Sequence, residues 1–306
     1  MERVFAGPAV GRLTKAILKA DSTNTIMSEI DDRSLEKIIT EQSSQYQDLD
    51  KMTVRELTEG INQEDSLVHL AVKNVLPQIE NLIEEILPRM QQGGRVFYLG
   101  AGTSGRLGVL DASELPPTFG VPDNMVIGLI AGGDRALRKA VEKAEDDPDR
   151  AWEELKPFKP GILDTVIGIA ASGTTPYVVG ALDRAGREGL LTGCITCNPG
   201  SPVARAAAIP IEALVGPEFL TGSTRMKAGT AQKMILNIIS TSLMIKMGKV
   251  KGNKMVNMQL TNKKLVRRGT RMIMEELQLG PEQALELLLE HGSVRLAIEA
   301  WRQDKG

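Results

Sequence analysis

An α/β fold built on a doubly wound parallel sheet flanked by helices is the class that the sequence predicts. Short apolar runs of strand type alternate with helical patterns in the middle of the 306-residue chain. The connections between them are short and rich in glycine. Apolar residues make up 42% of the chain and aromatic residues only 3%, so we expect an aliphatic core, as where helices cover a parallel sheet. The predicted strands are VFYLG, MVIGLIAGG, TVIGIAASG, LTGCITCNPG and the weaker IPIEALVG.

Helical patterns precede and follow this alternation. Apolar positions recur at helical spacing from about residue 59 to 92, which predicts one or two long helices that end at the glycines of residues 91–94. Beyond about residue 248 the pattern is helical again, with Pro281 opening one helix and Gly292 ending it. A chain of this length has room for one large α/β domain with helical additions, or for two domains. We divide it into an N-terminal extension and helical arm (1–58), the sheet domain (59–248) and a small C-terminal helical module (249–306).

Composition excludes several classes of function. The net charge is -2 and no basic stripe is interleaved with aromatic residues, which argues against nucleic-acid binding. No apolar run reaches the roughly 18 residues of a membrane span, and the N-terminus lacks the charged-then-apolar pattern of a signal peptide. We therefore expect a soluble cytoplasmic protein.

Cys194 and Cys197 form a C-x-x-C motif, which is compatible with a redox pair or half of a zinc site. The chain has no further cysteine, and its only histidines are His69 and His291. The apolar run before the pair is typical of a buried strand that ends in the Asn-Pro-Gly turn. We favour a structural role for both cysteines.

The first loop with potential chemistry is GAGTSG, residues 100–105, between a predicted strand and a predicted helix. Its G-x-G-x-x-G spacing lets the backbone approach an anion at a helix N-terminus. A dinucleotide site also needs an acidic residue about 20 positions further on, whereas Asp134 lies about 30 positions beyond the loop. The hydroxyl groups of Thr103 and Ser104 suit a compact phosphate monoester. A sugar phosphate is therefore favoured over a nucleotide.

A second loop, AASGTTPY, repeats the design at the end of another predicted strand. Ser172, Thr174 and Thr175 cluster around Gly173, and Pro176 suits the first position of a helix. One hydroxyl group is enough for an N-cap, so three of them favour a phosphate site.

A third stretch, GPEFLTGSTRMKAGTAQK, also precedes a predicted helix and is rich in hydroxyl and basic side chains, among them Ser223, Arg225 and Lys227. Its glycines do not have the spacing of a P-loop. Glu218 is an acid in a loop otherwise suited to anions, where it could accept hydrogen bonds from sugar hydroxyl groups.

Two carboxylates stand out among many. Glu114 directly precedes Leu-Pro-Pro, and prolines that end a helix there would hold it at a fixed corner. Glu145 is expected late in the next helix, within a charged run where Glu142 and Asp146 are nearly equal candidates and a solvated rim is the plainer interpretation.

These loops together resemble the SIS (sugar isomerase) domain, which binds phosphosugars. GPEFLTGSTRMKAGTAQK resembles the signature shared by the N-acetylmuramic acid 6-phosphate etherases and the glucokinase regulatory protein. YLGAGTSGRLGVLDASELPPTFG, GLIAGGDRALRKAVEKAEDD, GIAASGTTPYV and SLMIKMGKVKGNKMVN are similar to the etherases. The similarity starts at about Leu35. The first 34 residues resemble an extension, the tail is shorter than expected for the family, and Thr174 stands where the family would carry an arginine.

The resemblance implies a SIS-type fold and cleavage of the D-lactyl ether of N-acetylmuramic acid 6-phosphate, in the recycling of cell-wall amino sugars. The products would be N-acetylglucosamine 6-phosphate and D-lactate, formed by elimination and water addition without metal or other cofactor. The resemblance selects Glu114 as the acid that protonates the departing lactate and Glu145 as the base that removes the proton from C2. It supports the choice of these two residues more firmly than the division of roles between them. The candidates to bind the phosphate and the lactyl carboxylate of this substrate are Arg106, Arg225 and Lys227. The implied substrate-binding residues are Gly102, Thr103, Ser104, Ser172, Thr174, Thr175, Glu218 and Ser223.

Two other functions stay open. A non-catalytic phosphosugar sensor is compatible with the likeness to the glucokinase regulatory protein, although both glutamates are retained. A phosphosugar isomerase would share ring opening and C2 proton removal. SIS domains usually pair, so the resemblance also implies a homodimer.

Overall fold

The computed structural model describes residues 38–141 and 143–304. Its centre is a parallel sheet of five strands in the order β2-β1-β3-β4-β5. The strands lie where the apolar runs predicted them, which confirms the α/β class. They are β1 (Val96–Gly100), β2 (Val126–Ile130), β3 (Thr165–Ile169), β4 (Leu191–Thr196) and β5 (Ile209–Glu212). The predicted extension at residues 1–34 lies outside the described residues.

Helices surround this sheet and follow it. Those up to the end of the sheet are α1 (Val54–Asn74), α2 (Leu76–Gln91), α3 (Gly102–Phe119), α4 (Arg135–Arg138), α5 (Arg150–Leu155), α6 (Pro176–Arg187) and α7 (Pro202–Ala206). The later ones are α8 (Lys227–Lys246), α9 (Lys263–Leu277), α10 (Pro281–His291) and α11 (Val294–Asp304). Short 3₁₀ helices occupy Ile39–Glu41, Leu49–Lys51 and Lys156–Phe158. Within these ranges, no helix is long and apolar enough to cross a membrane.

Two helical layers enclose the sheet. Residues of α1, α2, α3 and α8 form one apolar cluster with Tyr98 and Ile167. Residues of α5, α6 and α7 form a second cluster with Phe97 and Val166, which alternate with the first pair along their strands. This alternation places successive side chains on opposite faces of the sheet. Both faces are therefore buried, as the aliphatic composition predicted.

The last three helices pack around a cluster of their own that includes Ile273, Leu288 and Ile298. The segment that leads to them contacts the end of α3, where the N–H of Gln259 donates to the carbonyl of Pro117 at 3.2 Å. Pro281 opens α10 and Gly292 ends it with a φ of 71°, as predicted.

One predicted helix end was wrong. Helix α3 continues through Pro116 and Pro117 and ends only at Gly120, whose φ is 64°. An interior proline keeps helical φ but loses its N–H bond and crowds the carbonyl of residue i−4; here buried Leu115 and Phe119 hold the last turn against the core in spite of that cost. Glu114 therefore lies inside a helix and not at a corner.

The helix expected around Glu145 was also wrong. Among the residues described between β2 and α5, helical structure is confined to the four residues of α4, and Glu145 lies in a turn before Pro148. The turn is held against α6, because the N–H of Tyr177 donates to the carbonyl of Glu145 at 3.0 Å. Gly180 allows this approach, since a Cβ atom there would lie 1.9 Å from the carbonyl oxygen of Pro148.

Candidate active site

The carboxyl ends of β1 and β3 mark the point where the order of strands reverses. The chain runs from β1 to β2 on one side of β1 and then crosses back to β3 on the other side. In open α/β sheets such a switch point leaves a crevice where ligands bind. The first loop follows β1 and the second follows β3, so neighbouring strands deliver both hydroxyl-rich loops to this crevice.

The third stretch reaches the same edge of the sheet. A Cβ atom on Gly229, in the first turn of α8, would lie 3.5 Å from Cγ2 of Thr103. The N–H of Cys197, just past β4, donates to the carbonyl of Ala171 at 3.0 Å. The three stretches selected from the sequence therefore lie side by side.

Close packing explains the glycines of the first loop. Gly102 has a φ of 52°, which only glycine adopts readily. A Cβ atom on Gly105 would lie 2.6 Å from the carbonyl oxygen of Gly100. The N-cap of α3 is Ala101, which provides no side-chain cap. The first N–H groups of α3 are thus available to an anion, and the helix dipole favours negative charge there.

The hydroxyl groups of this loop differ in exposure. Ser104 is buried and donates from Oγ to Oε1 of Gln232 at 2.9 Å. Thr103 is half-buried beside the first turn of α8.

The second loop also leads into a helix that has no side-chain cap at its N-terminus. Oγ of Ser172 and Oγ1 of Thr174 form a hydrogen bond of 2.9 Å. Thr175 is the N-cap of α6 but makes no side-chain capping bond, and Pro176 is the first helical residue. Gly173 packs against Ser201, whose Oγ would lie 2.2 Å from an added Cβ atom. The N-terminus of α6 therefore has no capping side chain, but its first N–H group, that of Tyr177, already donates to the carbonyl of Glu145. Helix α6 thus offers the crevice its dipole and no free N–H group.

A cavity of about 130 Å³ joins Glu145 to the first loop. Its lining includes Ala101, Gly102, Arg106 and Glu145. The guanidinium group of Arg106 donates to the carbonyls of Ala136 at 2.7 Å and Leu137 at 3.1 Å. Arg106 thus braces one wall of the cavity. The exposed carboxylate of Glu145 stands beside the N-terminus of α3.

Glu114 lies outside this cavity. It is exposed on α3, 12 residues after Gly102, which corresponds to about 18 Å along the helix axis. One chain therefore does not bring Glu114 and Glu145 to the same sugar ring.

The third stretch uses its charged groups internally, unlike the expectation that Glu218 faces a sugar and Lys227 an anion. The carboxylate of Glu218, 1% exposed, accepts from the N–H groups of Lys227 at 2.8 Å and Ala228 at 2.9 Å. Burial raises the pKa of Glu218 against the opposing effect of these bonds and of the Lys227 charge. The buried Lys227 ammonium pairs with Glu64 of α1. The N-terminus of α8 is therefore already occupied by a carboxylate.

The two other predicted residues of this stretch, Ser223 and Arg225, differ in exposure. Ser223 is half-buried and uses its backbone N–H to bond the carbonyl of Leu220 at 2.9 Å. Arg225 is exposed.

Sequence analysis missed a buried polar seam between α3 and α8. Gln232 contacts Ser104, and Asp111 lies 3.3 Å from Oγ of Ser240 and 3.6 Å from Nζ of Lys233. The available signal was a glutamine among Ala228, Ala231 and Ile235 on one face of a predicted helix. A polar residue on an apolar face indicates a specific partner.

The cysteines lie in the core. Both are buried and unpaired, and burial raises the pKa of each thiol to about 12. Such a thiol is not the thiolate that redox chemistry requires. Within residues 38–141 and 143–304 no group of three or more metal-ligating side chains is found.

Comparison with known proteins identifies the class of domain that contains this sheet. A model described as the glucokinase regulatory protein N-terminal SIS domain matches residues 78–186. A solved structure from Bacteroides fragilis, described as a candidate phosphosugar isomerase involved in capsule formation, has a TM-score of 0.50 at 21% identity, covering 66% of this chain and 95% of that chain. The sheet, its switch point and its loops define a SIS-type α/β domain with further helices.

Relatives narrow this class to one family. Proteins named N-acetylmuramic acid 6-phosphate etherase from Bacteroides fragilis and Porphyromonas gingivalis are each 65% identical, over 86% and 87% of this chain and 94% and 97% of their own lengths. One from Christiangramia forsetii is 60% identical over 87% of this chain and 97% of its own. The chain belongs to the N-acetylmuramic acid 6-phosphate etherase family.

Proposed function

We propose that this protein is a carbon–oxygen lyase that cleaves the D-lactyl ether of N-acetylmuramic acid 6-phosphate. The observation that carries this proposal is the identity of 60–65% to three etherases over nearly their whole length. The products are N-acetylglucosamine 6-phosphate and D-lactate, which places the reaction in amino-sugar catabolism. Because sugar phosphates are charged metabolites of the cell interior, we also assign the enzyme to the cytoplasm.

The phosphate binds between the N-termini of α3 and α6. Both helices begin at the switch point, and neither has a capping side chain. The free backbone N–H groups of α3 and the dipoles of both helices suit a phosphate dianion there. The hydroxyl-bearing residues Thr103, Ser104, Ser172, Thr174 and Thr175, with Gly102, surround that position. Ser223 adds a further hydroxyl group at the same edge of the sheet. Glu218 supports the site indirectly, because its carboxylate fixes the start of α8.

Glu145 is the base at C2 of the sugar. Its carboxylate lies on the cavity next to the proposed phosphate position. When the sugar ring opens, the C1 aldehyde makes the C2 proton acidic, and Glu145 removes it. The C3–O bond then breaks and leaves a double bond between C2 and C3. A positioned base contributes roughly 10²–10⁴-fold to such a step.

Glu114 is the acid that protonates the ether oxygen as lactate departs. Water then adds across the double bond: its oxygen bonds to C3, Glu114 takes back a proton from it, and Glu145 returns a proton to C2. Both carboxyl groups end in their starting states. The net change is one water consumed and one C–O bond exchanged for another.

A second copy of the chain supplies Glu114. Within one chain Glu114 is about 18 Å along α3 from the proposed phosphate position, so it cannot serve the same sugar as Glu145. A two-fold pair of chains that packs the exposed part of α3 over the partner's cavity completes the site twice. We therefore propose a homodimer.

Incubation with N-acetylmuramic acid 6-phosphate in heavy-oxygen water tests the function. We expect D-lactate without label and N-acetylglucosamine 6-phosphate with one heavy oxygen at C3. If folded protein binds the sugar phosphate without releasing lactate, the chain is a phosphosugar sensor, the function that the match to the glucokinase regulatory protein domain favours. Conversion to a ketose would instead identify an isomerase.

A further inference from the structure

Gln232 is fully buried in the contact between α8 and α3, at 0% exposure. Its Oε1 accepts the hydroxyl group of Ser104, which is 7% exposed, at 2.9 Å. Its Nε2 is also buried and finds no hydrogen-bond partner among the described residues. A buried amide with an unused donor is unfavourable, and a methionine or leucine would fit the surrounding apolar face. The side chain therefore calls for a reason other than packing.

The phosphate chemistry of the first loop supplies that reason. Phosphate oxygens accept hydrogen bonds, so a hydroxyl group must donate to reach them. Ser104 has a single hydroxyl proton, and in the present arrangement that proton is directed at Gln232. As long as Oε1 faces Ser104, the hydroxyl group of Ser104 has no proton to donate to a phosphate at the N-terminus of α3.

Rotation of the Gln232 amide resolves this conflict. Oε1 and Nε2 exchange places in a half-turn of the terminal group with almost no change in volume. Nε2 then donates to Oγ of Ser104, and the unused donor acquires a partner. The hydroxyl proton of Ser104 is released toward the loop.

We propose that Gln232 is a positioning residue that, by presenting Nε2 to Ser104, turns the Ser104 hydroxyl group into a hydrogen-bond donor to the sugar phosphate. The proposal rests on the phosphate position given above. Gln232 itself does not contact the substrate. Its effect belongs to phosphate affinity, and so to KM, while the steps at C2 and C3 are left unchanged.

Three variants separate this role from a structural one. Gln232→Glu offers only acceptors when ionised, so it then holds the Ser104 proton. Because burial favours the neutral carboxyl group, KM is compared at high pH, where we expect it to rise by about tenfold or more with little change in kcat. Gln232→Met fills the same space without a strong donor or acceptor and leaves Ser104 free but undirected, so KM should rise less. Gln303→Glu on exposed α11 is the control for added charge and should match the wild type.

Ser104→Ala provides the decisive background. If Gln232 acts through Ser104, the double variant with Gln232→Glu has the same KM as Ser104→Ala alone. If the two effects multiply, the new charge acts on the phosphate directly and the proposal is overturned. Thermal unfolding of each variant shows whether the changes in KM follow stability, which would also overturn it.

A pH profile gives a second readout. A protonated glutamic acid can donate to Ser104 as the amide does, so KM of Gln232→Glu, relative to the wild type, should recover as the pH falls. A ratio that stays constant with pH contradicts the proposal. If the wild type releases no lactate, the proposed function has failed; the same variants then are compared by calorimetry with N-acetylglucosamine 6-phosphate, where dissociation constants unchanged from the wild type refute the role of Gln232.

Discussion

Asp111 is a carboxyl group buried between β1 and two helices, one turn before Glu114. Burial raises its pKa, although the hydrogen bond from Ser240 and the charge of Lys233 act in the opposite direction. Its second oxygen, Oδ2, and the hydroxyl group of Tyr98 have no hydrogen-bond partner among the described residues. Asp111 thus carries a desolvated charge that its neighbours only partly compensate.

This environment predicts a pH-dependent gain in stability for Asp111→Asn. Because the folded-state pKa lies above the unfolded value of 3.8, the unfavourable effect of the charge is fully present above the folded pKa and disappears below the unfolded one. The free energy of unfolding of the variant, relative to the wild type, should therefore be higher at pH 8 than at pH 4 in urea titrations. A relative stability that is equal at both pH values, or lower at pH 8, would show that the pairing with Lys233 outweighs burial.

Glu114→Gln separates the two proposed chemical steps. The amide cannot protonate the ether oxygen, so lactate release should fall by roughly 10²-fold or more, while Glu145 still removes the C2 proton. Nuclear magnetic resonance in deuterated water should show exchange at C2 of the intact substrate. Loss of exchange together with lactate release that continues would mean that the roles of the two glutamates are reversed.

At the scale of elements, the uncapped N-termini of α3 and α6 distinguish the site from the capped N-terminus of α8. Each of these three helices begins at the same edge of the sheet. The carboxylate of Glu218 already accepts from the first N–H groups of α8 and offsets the positive end of its dipole. Ala101 and Thr175, in contrast, leave α3 and α6 without a side-chain cap. The proposed phosphate position is the place that a capping carboxylate would otherwise fill.

Ala101→Asp tests that division directly. The N-cap residue already has extended backbone angles, so an aspartate there can cap α3 and should raise stability by about 1 kcal/mol. It should also repel the phosphate and raise KM by tenfold or more. Ala101→Asn is the matched uncharged cap and should raise KM less. Equal KM values for the wild type and Ala101→Asp would place the phosphate elsewhere.

Strands and loops could be predicted from the sequence because their signals are local. An apolar run flanked by glycine identifies each strand, and hydroxyl groups after β1 and β3 identify the loops. The end of α3 was mispredicted since the buried contacts of Leu115 and Phe119, which are not local, outweigh two prolines. Glu218 was predicted as a ligand contact because its partners, the N–H groups at the start of α8, depend on how the loop closes. Gln232 was missed for the same reason.

At the scale of the whole molecule, Glu114 and Glu145 lie too far apart within one chain to act on the same sugar. Glu145 lies on the cavity and Glu114 is about 18 Å along α3 from Gly102. The account therefore requires that two chains share each site, with Glu145 from one and Glu114 from the other.

Mixed dimers of Glu114→Gln and Glu145→Gln chains measure this most directly. Each variant alone has no intact site. If the sites are shared, a mixed dimer purified through two different affinity tags holds one site with both glutamates and should regain about half of the wild-type lactate release. Activity no higher than that of the separate variants, or failure to isolate any mixed species from co-expressed chains, would contradict the account.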